Sequence, residues 1–350
     1  MNRLERIKGC LLGGAVGDAL GASVEFLEWP AIEAKYGPQG VVDFTPVRGV
    51  TGAITGDTQM MLFTAEGLLR AFVRGSSGVA CHVPSVIHHS LLRWLMTQDY
   101  PSATSVRVDG WLITEPHLWS RRAPGTTSLS ALKASSHLGA NAENNSKGCG
   151  ALMRVAPCAF FANAFDYAAQ SARLTHGHPS GYLATGLLAD ILQRLIDYQT
   201  SLENAVTSSL AQHGQKAGME QTRSMLERVL FFFYEGYRPT PQRIAEFGGG
   251  WLADEALAIG LWCALSADTL EEGIINAVNH DGDSNSTGLI AGHLLGIQHG
   301  TAAIPSRWYE RLELRGVIEQ VAEDIERVPR DYCGHGGEFD EQIERAYPGS

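Results

Sequence analysis

The chain has 350 residues, of which 44% are hydrophobic and 19% charged, and carries a net charge of −11 at neutral pH. That length buries a sizeable core in one large domain or two, and the composition excludes a disordered or low-complexity chain. The acidic balance argues against general nucleic-acid binding, which favours basic surfaces.

Helical spacing opens the chain. Leu4, Ile7, Leu11, Leu12, Ala15, Val16 and Leu20 recur over 3–22, and Gly9, Gly13, Gly17 and Gly21 recur every four residues on the same segment. Each interior glycine costs a helix roughly 1 kcal/mol relative to alanine. A stripe of four therefore predicts a compensating close approach by another helix. Gly288, Gly292, Gly296 and Gly300 repeat the device near the other end. Both helices are expected in the packed centre, and the spacing does not say whether they touch each other. Residues 30–54, rich in Pro and Gly, read as a loop-rich connection. Residues 57–74 form an amphipathic helix on Met61, Leu62, Ala65, Leu68, Leu69 and Phe72, and a second helix covers 84–97. Residues 101–127 read as irregular, 128–134 as a short helix and 144–150 as a polar, glycine-bearing turn. Further helices are expected at about 163–174, 179–198, 201–212, 219–235, 251–267, 270–279, 306–312 and 315–326, before a glycine-rich tail. No period-two strand pattern and no fixed-length repeat occurs. The prediction is an all-α, compact single domain over 1–350 with its core at about 5–328.

The cysteines (Cys10, Cys81, Cys149, Cys158, Cys263 and Cys333) include no Cys-x-x-Cys pair and read as free, buried thiols of a reducing compartment. The N-terminus does not read as a signal peptide, and no apolar run reaches the ~18 residues of a membrane span. A soluble cytoplasmic protein is expected.

Phosphate-loop, His-Glu-x-x-His and Gly-x-Ser-x-Gly motifs are absent. Four polar pieces remain. Asp281-Gly-Asp283-Ser-Asn285-Ser286-Thr-Gly288 puts carboxylate, amide and hydroxyl oxygens at a helix entrance. Such a run caps a helix, and it also suits a hard cation such as magnesium. Thr55-Gly56-Asp57-Thr58 has the same character far upstream. The others are Gly17-Asp18 through Glu25-Phe26, and Asn144-Asn145-Ser146-Lys-Gly148-Cys-Gly150 running through Met153 and Arg154 to Pro157, followed by Thr175-His176.

In this order and at these separations the pieces resemble the ADP-ribosylglycohydrolase family, which includes the dinitrogenase-reductase-activating glycohydrolases, over about residues 5–300. The resemblance implies a compact all-α fold in which two magnesium ions, or manganese as substitute, sit in a cleft beside an ADP-ribose site. It implies removal of ADP-ribose from modified protein side chains by cleavage at the ribose anomeric carbon. It assigns Glu25, Asp57 and Asp283 to catalysis. Thr55, Asp57, Asp283, Asn285 and Ser286 become metal ligands. Gly125, Asn145, Ser146, Gly148, Gly150, Met153 and His176 become substrate-binding residues, with the loop 122–126 near the nucleotide. The implied partner is ADP-ribose or an ADP-ribosylated protein, with no nucleic acid and no membrane.

The chemistry agrees with that reading. Glycoside cleavage develops oxocarbenium character, divalent ions hold hydroxyls and lower the pKa of a water, and amides of Gly148 and Gly150 suit a diphosphate. Asp18 is expected to be a structural hydrogen-bond partner, and Arg154 a paired structural arginine.

The chain departs from the family pattern twice. Gly56 and Asn285 stand where the family motifs have Asp, so four carboxylates become two, Asp57 and Asp283, before Glu25 is counted. Charge count governs affinity at such sites, so weaker metal binding, one ion in place of two, and slower hydrolysis are expected. Restoring Asp at both positions is expected to raise activity. The departures support a second reading: a catalytically weak relative that binds ADP-ribose or an ADP-ribosylated protein, or blocks a partner ADP-ribosyltransferase. A helical scaffold whose polar loops are only caps is the third.

Overall fold

Two glycine-striped helices form the axis on which the other elements pack. The computed structural model describes residues 1–349. Helix α1 (Arg3–Gly21) starts at Asn2, whose side chain accepts from the Glu5 amide. It is followed by α2 (Trp29–Tyr36), α3 (Gly56–Ser76), α4 (Val83–Thr97), α5 (Thr126–Ala134), α6 (Ala164–Arg173), α7 (Pro179–Asp197), α8 (Leu202–His213) and α9 (Glu220–Tyr234). The second half adds α10 (Pro241–Ile244), α11 (Ala253–Leu265), α12 (Leu270–Val278), α13 (Ser284–His299), α14 (Ser306–Tyr309), α15 (Arg315–Asp331) and α16 (Glu338–Ala346). Among the described residues there is no sheet, and isolated bridges join only Val47 to Val50 and Gly148 to Leu252. The all-α, single-domain expectation holds.

Helices α1 and α13 run antiparallel, glycine against glycine. A Cβ on Gly292 would lie 2.0 Å from the Gly13 carbonyl oxygen, and one on Gly296 would lie 1.9 Å from that of Gly9. One on Gly17 would lie 2.0 Å from the Gly288 oxygen. Any side chain would push the backbones apart. The two stripes therefore do touch, and they face each other. The His293 ring fills the space over Gly14, and its Nδ1 lies 2.8 Å from the Cys10 carbonyl oxygen. On the outer sides, α11 and α12 pack on α13, while α15 bridges α1 and α3. The antiparallel register puts the C-terminus of α1 and the N-terminus of α13 at one end of the molecule.

Three segments differ from expectation. The supposed loop 30–54 contains α2, with Pro30 in the first turn, where no amide is needed. Residues 306–312 hold only the single turn α14. The glycine-rich tail carries α16 and is docked: Tyr347 is buried and donates its hydroxyl to Asp324 at 2.5 Å. All six cysteines are free; four are buried, Cys81 is half-buried and Cys333 exposed. Among the described residues no helix is long and apolar enough to cross a membrane.

Candidate active site

The polar end of the α1–α13 pair is assembled around Asp18, which is fully buried near the end of α1. Its carboxylate accepts from the Thr55 amide at 2.9 Å and hydroxyl at 2.8 Å, and from the Thr58 hydroxyl at 2.5 Å. Asp18 therefore fixes the first turn of α3, as its structural reading anticipates. Thr55 caps that helix by accepting from the Asp57 amide at 3.2 Å. At the start of α13, Asp283 caps that helix by accepting from the Ser286 amide at 3.4 Å.

These caps bring the two acidic motifs together. Asp57 Oδ2 accepts from Asn285 Nδ2 at 3.1 Å and from the Ser286 hydroxyl at 3.5 Å. Asn285 Oδ1 is buried and has no partner. Glu25, in the turn after α1, lines the same cleft as Asp57, Asp283, Asn285 and Ser286. Burial, then the neighbouring carboxylates Asp283 and Asp18, push the Glu25 carboxyl up to about 8. Burial foremost raises Asp283 to about 6 despite hydrogen bonds from Cys149 and Ser286. Asp57 is driven well above the usual carboxylate range by burial and by Asp18, Asp283 and Glu25. These buried carboxylates repel one another and have no cationic side chain paired to them among the described residues, so a positive charge placed among them would be stabilised.

The donor set fits a hard cation, with limits. Among the described residues no three His, Cys, Asp or Glu side chains gather as a metal group. An ion here needs neutral oxygens beside Asp57 and Asp283, and the orphaned Asn285 Oδ1 supplies one. Thr55 lies behind the cleft lining, its hydroxyl committed to Asp18. Position 56 has no room for a ligand. A Cβ there would meet Pro124 Cα at 2.9 Å, and the Gly56 amide donates to the Arg122 carbonyl. Restoring Asp at 56 thus requires the 122–124 loop to move, a condition the sequence did not reveal.

The opposite wall has the character of an anion site. The cleft encloses about 730 Å³, and Gly125, Gly148, Gly150 and His176 line it, whereas Asn145, Ser146 and Met153 do not. Met153 is fully buried in the core and Asn145 is exposed. The Gly148 amide is already engaged with the Ser146 hydroxyl at 3.2 Å, and the Cys149 amide with the Trp251 carbonyl at 3.1 Å. The better source of donors is α5. It has no side-chain cap, and residues 125–129 at its start line the cleft, so its first-turn amides are available to an anion. Asn144 holds the facing loop by accepting from the Ser146 and Gly177 amides, both at 3.0 Å. His176 sits on that wall, buried, its Nδ1 2.8 Å from the Thr175 hydroxyl. Arg154 behind it is structural but has no carboxylate partner, contrary to the paired arginine expected.

Several lining residues escaped sequence reasoning. Cys149 donates its thiol to Asp283 Oδ2 at 2.9 Å. Phe26 and Trp251 stack at the cleft with ring centroids 5.4 Å apart. Phe26 has a left-handed backbone (φ 70°) and is 70% exposed, which places an apolar ring in solvent beside Glu25. Tyr100, Arg48 and Arg121 also line it. The positions of Phe26 next to Glu25 and of Cys149 between Gly148 and Gly150 were the available signals.

The chain matches the ADP-ribosylglycohydrolase family profile over residues 1–334. It is 26% identical over 323 residues to the ADP-ribosyl-dinitrogen reductase glycohydrolase of Rhodospirillum rubrum, covering 89% of this chain and 91% of that one. It is 25% identical over 346 residues to the ADP-ribosylarginine hydrolase Tri1 of Pseudomonas putida, covering 93% and 80%. A solved ADP-ribosylglycohydrolase-related protein complex aligns with a TM-score of 0.69 at 28% identity, over 93% of this chain and 98% of that one.

Proposed function

The chain belongs to the ADP-ribosylglycohydrolase family, whose members hydrolyse glycosidic bonds, and from that premise we propose that it is a magnesium-dependent hydrolase releasing ADP-ribose from ADP-ribosylated protein side chains. The observation that carries this reading is the meeting of Asp57, Asp283 and the orphaned Asn285 Oδ1 on one side of a cleft whose other side is the open start of α5 with His176. Magnesium, or manganese in its place, would be held by Asp57, Asp283, Asn285 and Ser286, and would supply charge to orient the ribose hydroxyls and acidify a water.

The remaining steps belong to the chain itself. The α5 amides and His176 hold the diphosphate, which directs the ribose toward the carboxylates. Glu25, with its carboxyl raised to about 8, is mostly protonated at neutral pH and is suited to passing a proton at the anomeric carbon. With an ion bound, Asp57 and Asp283 are ionised and serve to hold it beside the ribose, where oxocarbenium character develops as the bond breaks. The Phe26–Trp251 faces beside Glu25 suit a planar cationic leaving group, which favours an arginine acceptor.

Incubation with ADP-ribosyl-arginine and millimolar magnesium, with chromatographic detection of free ADP-ribose, tests the reading. Release that is abolished by chelation and by Asp283→Ala is expected. The crowding at Gly56 supports the second reading, a weak relative that binds ADP-ribosylated protein or blocks a transferase. Tight ADP-ribose binding with no release at any magnesium or manganese concentration would select it.

A further inference from the structure

Behind the His176 wall lies a buried cation without a counter-charge. Arg154 is fully buried at the end of the 3₁₀ turn Cys149–Arg154. Its Nη2 donates to the Ser171 carbonyl at 2.8 Å and to the Thr175 hydroxyl oxygen at 2.9 Å. Its Nε and Nη1 have no partner. Burying a guanidinium in this way is costly. Burial lowers its pKa only to about 10, so the charge persists at neutral pH.

The Thr175 hydroxyl connects that charge to the cleft. It lies 2.8 Å from His176 Nδ1. The far edge of the ring faces the cleft beside Gly148 and Gly150: a Cβ on Gly148 would lie 3.4 Å from His176 Nε2. The hydroxyl has one proton to give. Its alternative acceptor, the Ala172 carbonyl, is farther at 3.3 Å. That carbonyl already accepts from the Thr175 amide at 3.0 Å and the His176 amide at 2.8 Å. The Thr175 proton therefore goes to Nδ1, while Arg154 occupies a lone pair of the same oxygen and makes the hydroxyl a stronger donor. Burial, then the Arg154 charge, hold His176 neutral with a pKa of about 3. A neutral imidazole that accepts at Nδ1 carries its proton on Nε2.

We propose that Arg154, acting through the Thr175 hydroxyl, fixes His176 as an Nε2–H donor to an anionic oxygen of the ligand in the cleft. Arg154 and Thr175 are thus positioning residues. Without them the ring would be free to turn a lone pair toward the anion. The identification of that anion as the diphosphate of ADP-ribose rests on the functional reading above; the tautomer does not.

The test combines nitrogen-15 NMR of histidine-labelled protein with calorimetric titration of ADP-ribose and of adenosine. The His176 resonances are assigned by their loss in His176→Gln. The wild type is expected to show the Nε2–H tautomer. Thr175→Val is expected to lose the fixed tautomer and bind ADP-ribose about tenfold more weakly, with adenosine affinity unchanged, and Thr175→Ser to restore both. Three results overturn the proposal: a wild-type His176 protonated on Nδ1, a Thr175→Val protein with tautomer and ADP-ribose affinity unchanged, or equal losses for ADP-ribose and adenosine. The first needs no variant, so misfolding of Thr175→Val leaves the proposal testable. A wild type that shows the tautomer, loses it in Thr175→Val and binds no ADP-ribose supports the relay and overturns the functional reading alone.

Discussion

Replacing a carboxylate with an amide at position 285 removes a charge but keeps an oxygen. Asn285 commits Nδ2 to Asp57 and leaves Oδ1 buried and unpaired, so an incoming cation gains that oxygen at no cost in broken hydrogen bonds. Asn285→Asp adds a fourth acidic group to Glu25, Asp57 and Asp283. It is expected to tighten magnesium binding by about tenfold or more through charge count and to lower stability in the absence of metal through like-charge repulsion. Calorimetric titration and thermal melting of the same preparation check both signs. Gly56→Asp is expected to give no such gain, because Pro124 occupies the space its side chain needs. At this scale the sequence displayed Asp57, Asp283 and Glu25, since acidic motifs are local. It did not display the Cys149–Asp283 contact or the Phe26–Trp251 stack, because each joins segments with no shared periodicity and exists only once the cleft has formed.

Among elements, the α1–α13 pair gives a clear contest of magnitudes. Gly292→Ala gains roughly 1 kcal/mol of helix propensity. It also places a Cβ 2.0 Å from a backbone oxygen, and overpacking against backbone that cannot yield costs ~3 kcal/mol or more. Net destabilisation is expected in denaturant unfolding. Gly316→Ala, in a helix with no atom within 4 Å of the new Cβ, is expected to stabilise by ~0.5–1 kcal/mol instead. Equal effects at the two positions would remove the packing explanation. Amphipathic helices such as α3 and α4 were legible because their apolar spacing repeats over several turns. The glycine stripes announced close approach, but the register and the partner became visible only in three dimensions. Helices α2 and α16 were hidden by proline and glycine, which mark a helix boundary as readily as a loop.

For the molecule as a whole, the buried titratable groups link stability to pH and to cations. The carboxyls of Glu25 and Asp283 are raised to about 8 and about 6. A raised carboxyl contributes stability that is complete below its unfolded value and lost as pH climbs through the folded one. In the cation-free protein that loss falls between about pH 4 and 8. Magnesium binding the ionised groups offsets it, so the rise in melting temperature on adding magnesium is expected to be larger at pH 8 than at pH 6. Differential scanning fluorimetry at both pH values measures it, and an increment that shrinks with pH would contradict a cation site at these carboxyls. Buried histidines act on the acid side. His88, His176 and His293 are lowered to about 4, 3 and 4, chiefly by burial. Their contribution is present above the ordinary histidine value and lost as pH falls through the lowered ones.

The pairing of α1 with α13 also sets a timetable. The Cys10 carbonyl and His293 meet although they lie 283 residues apart. At about 5–20 residues per second of synthesis, the first helix waits roughly 15–60 s for the surface it was built to meet. A 19-residue helix with five glycines holds its shape poorly alone, so during that wait it exists as pliable chain. The cleft lies at the joint of the first and thirteenth helices, so ligand binding cannot build up gradually as the nascent chain lengthens. It begins once α13 has emerged, when the oldest and nearly the newest parts of the polypeptide close on each other.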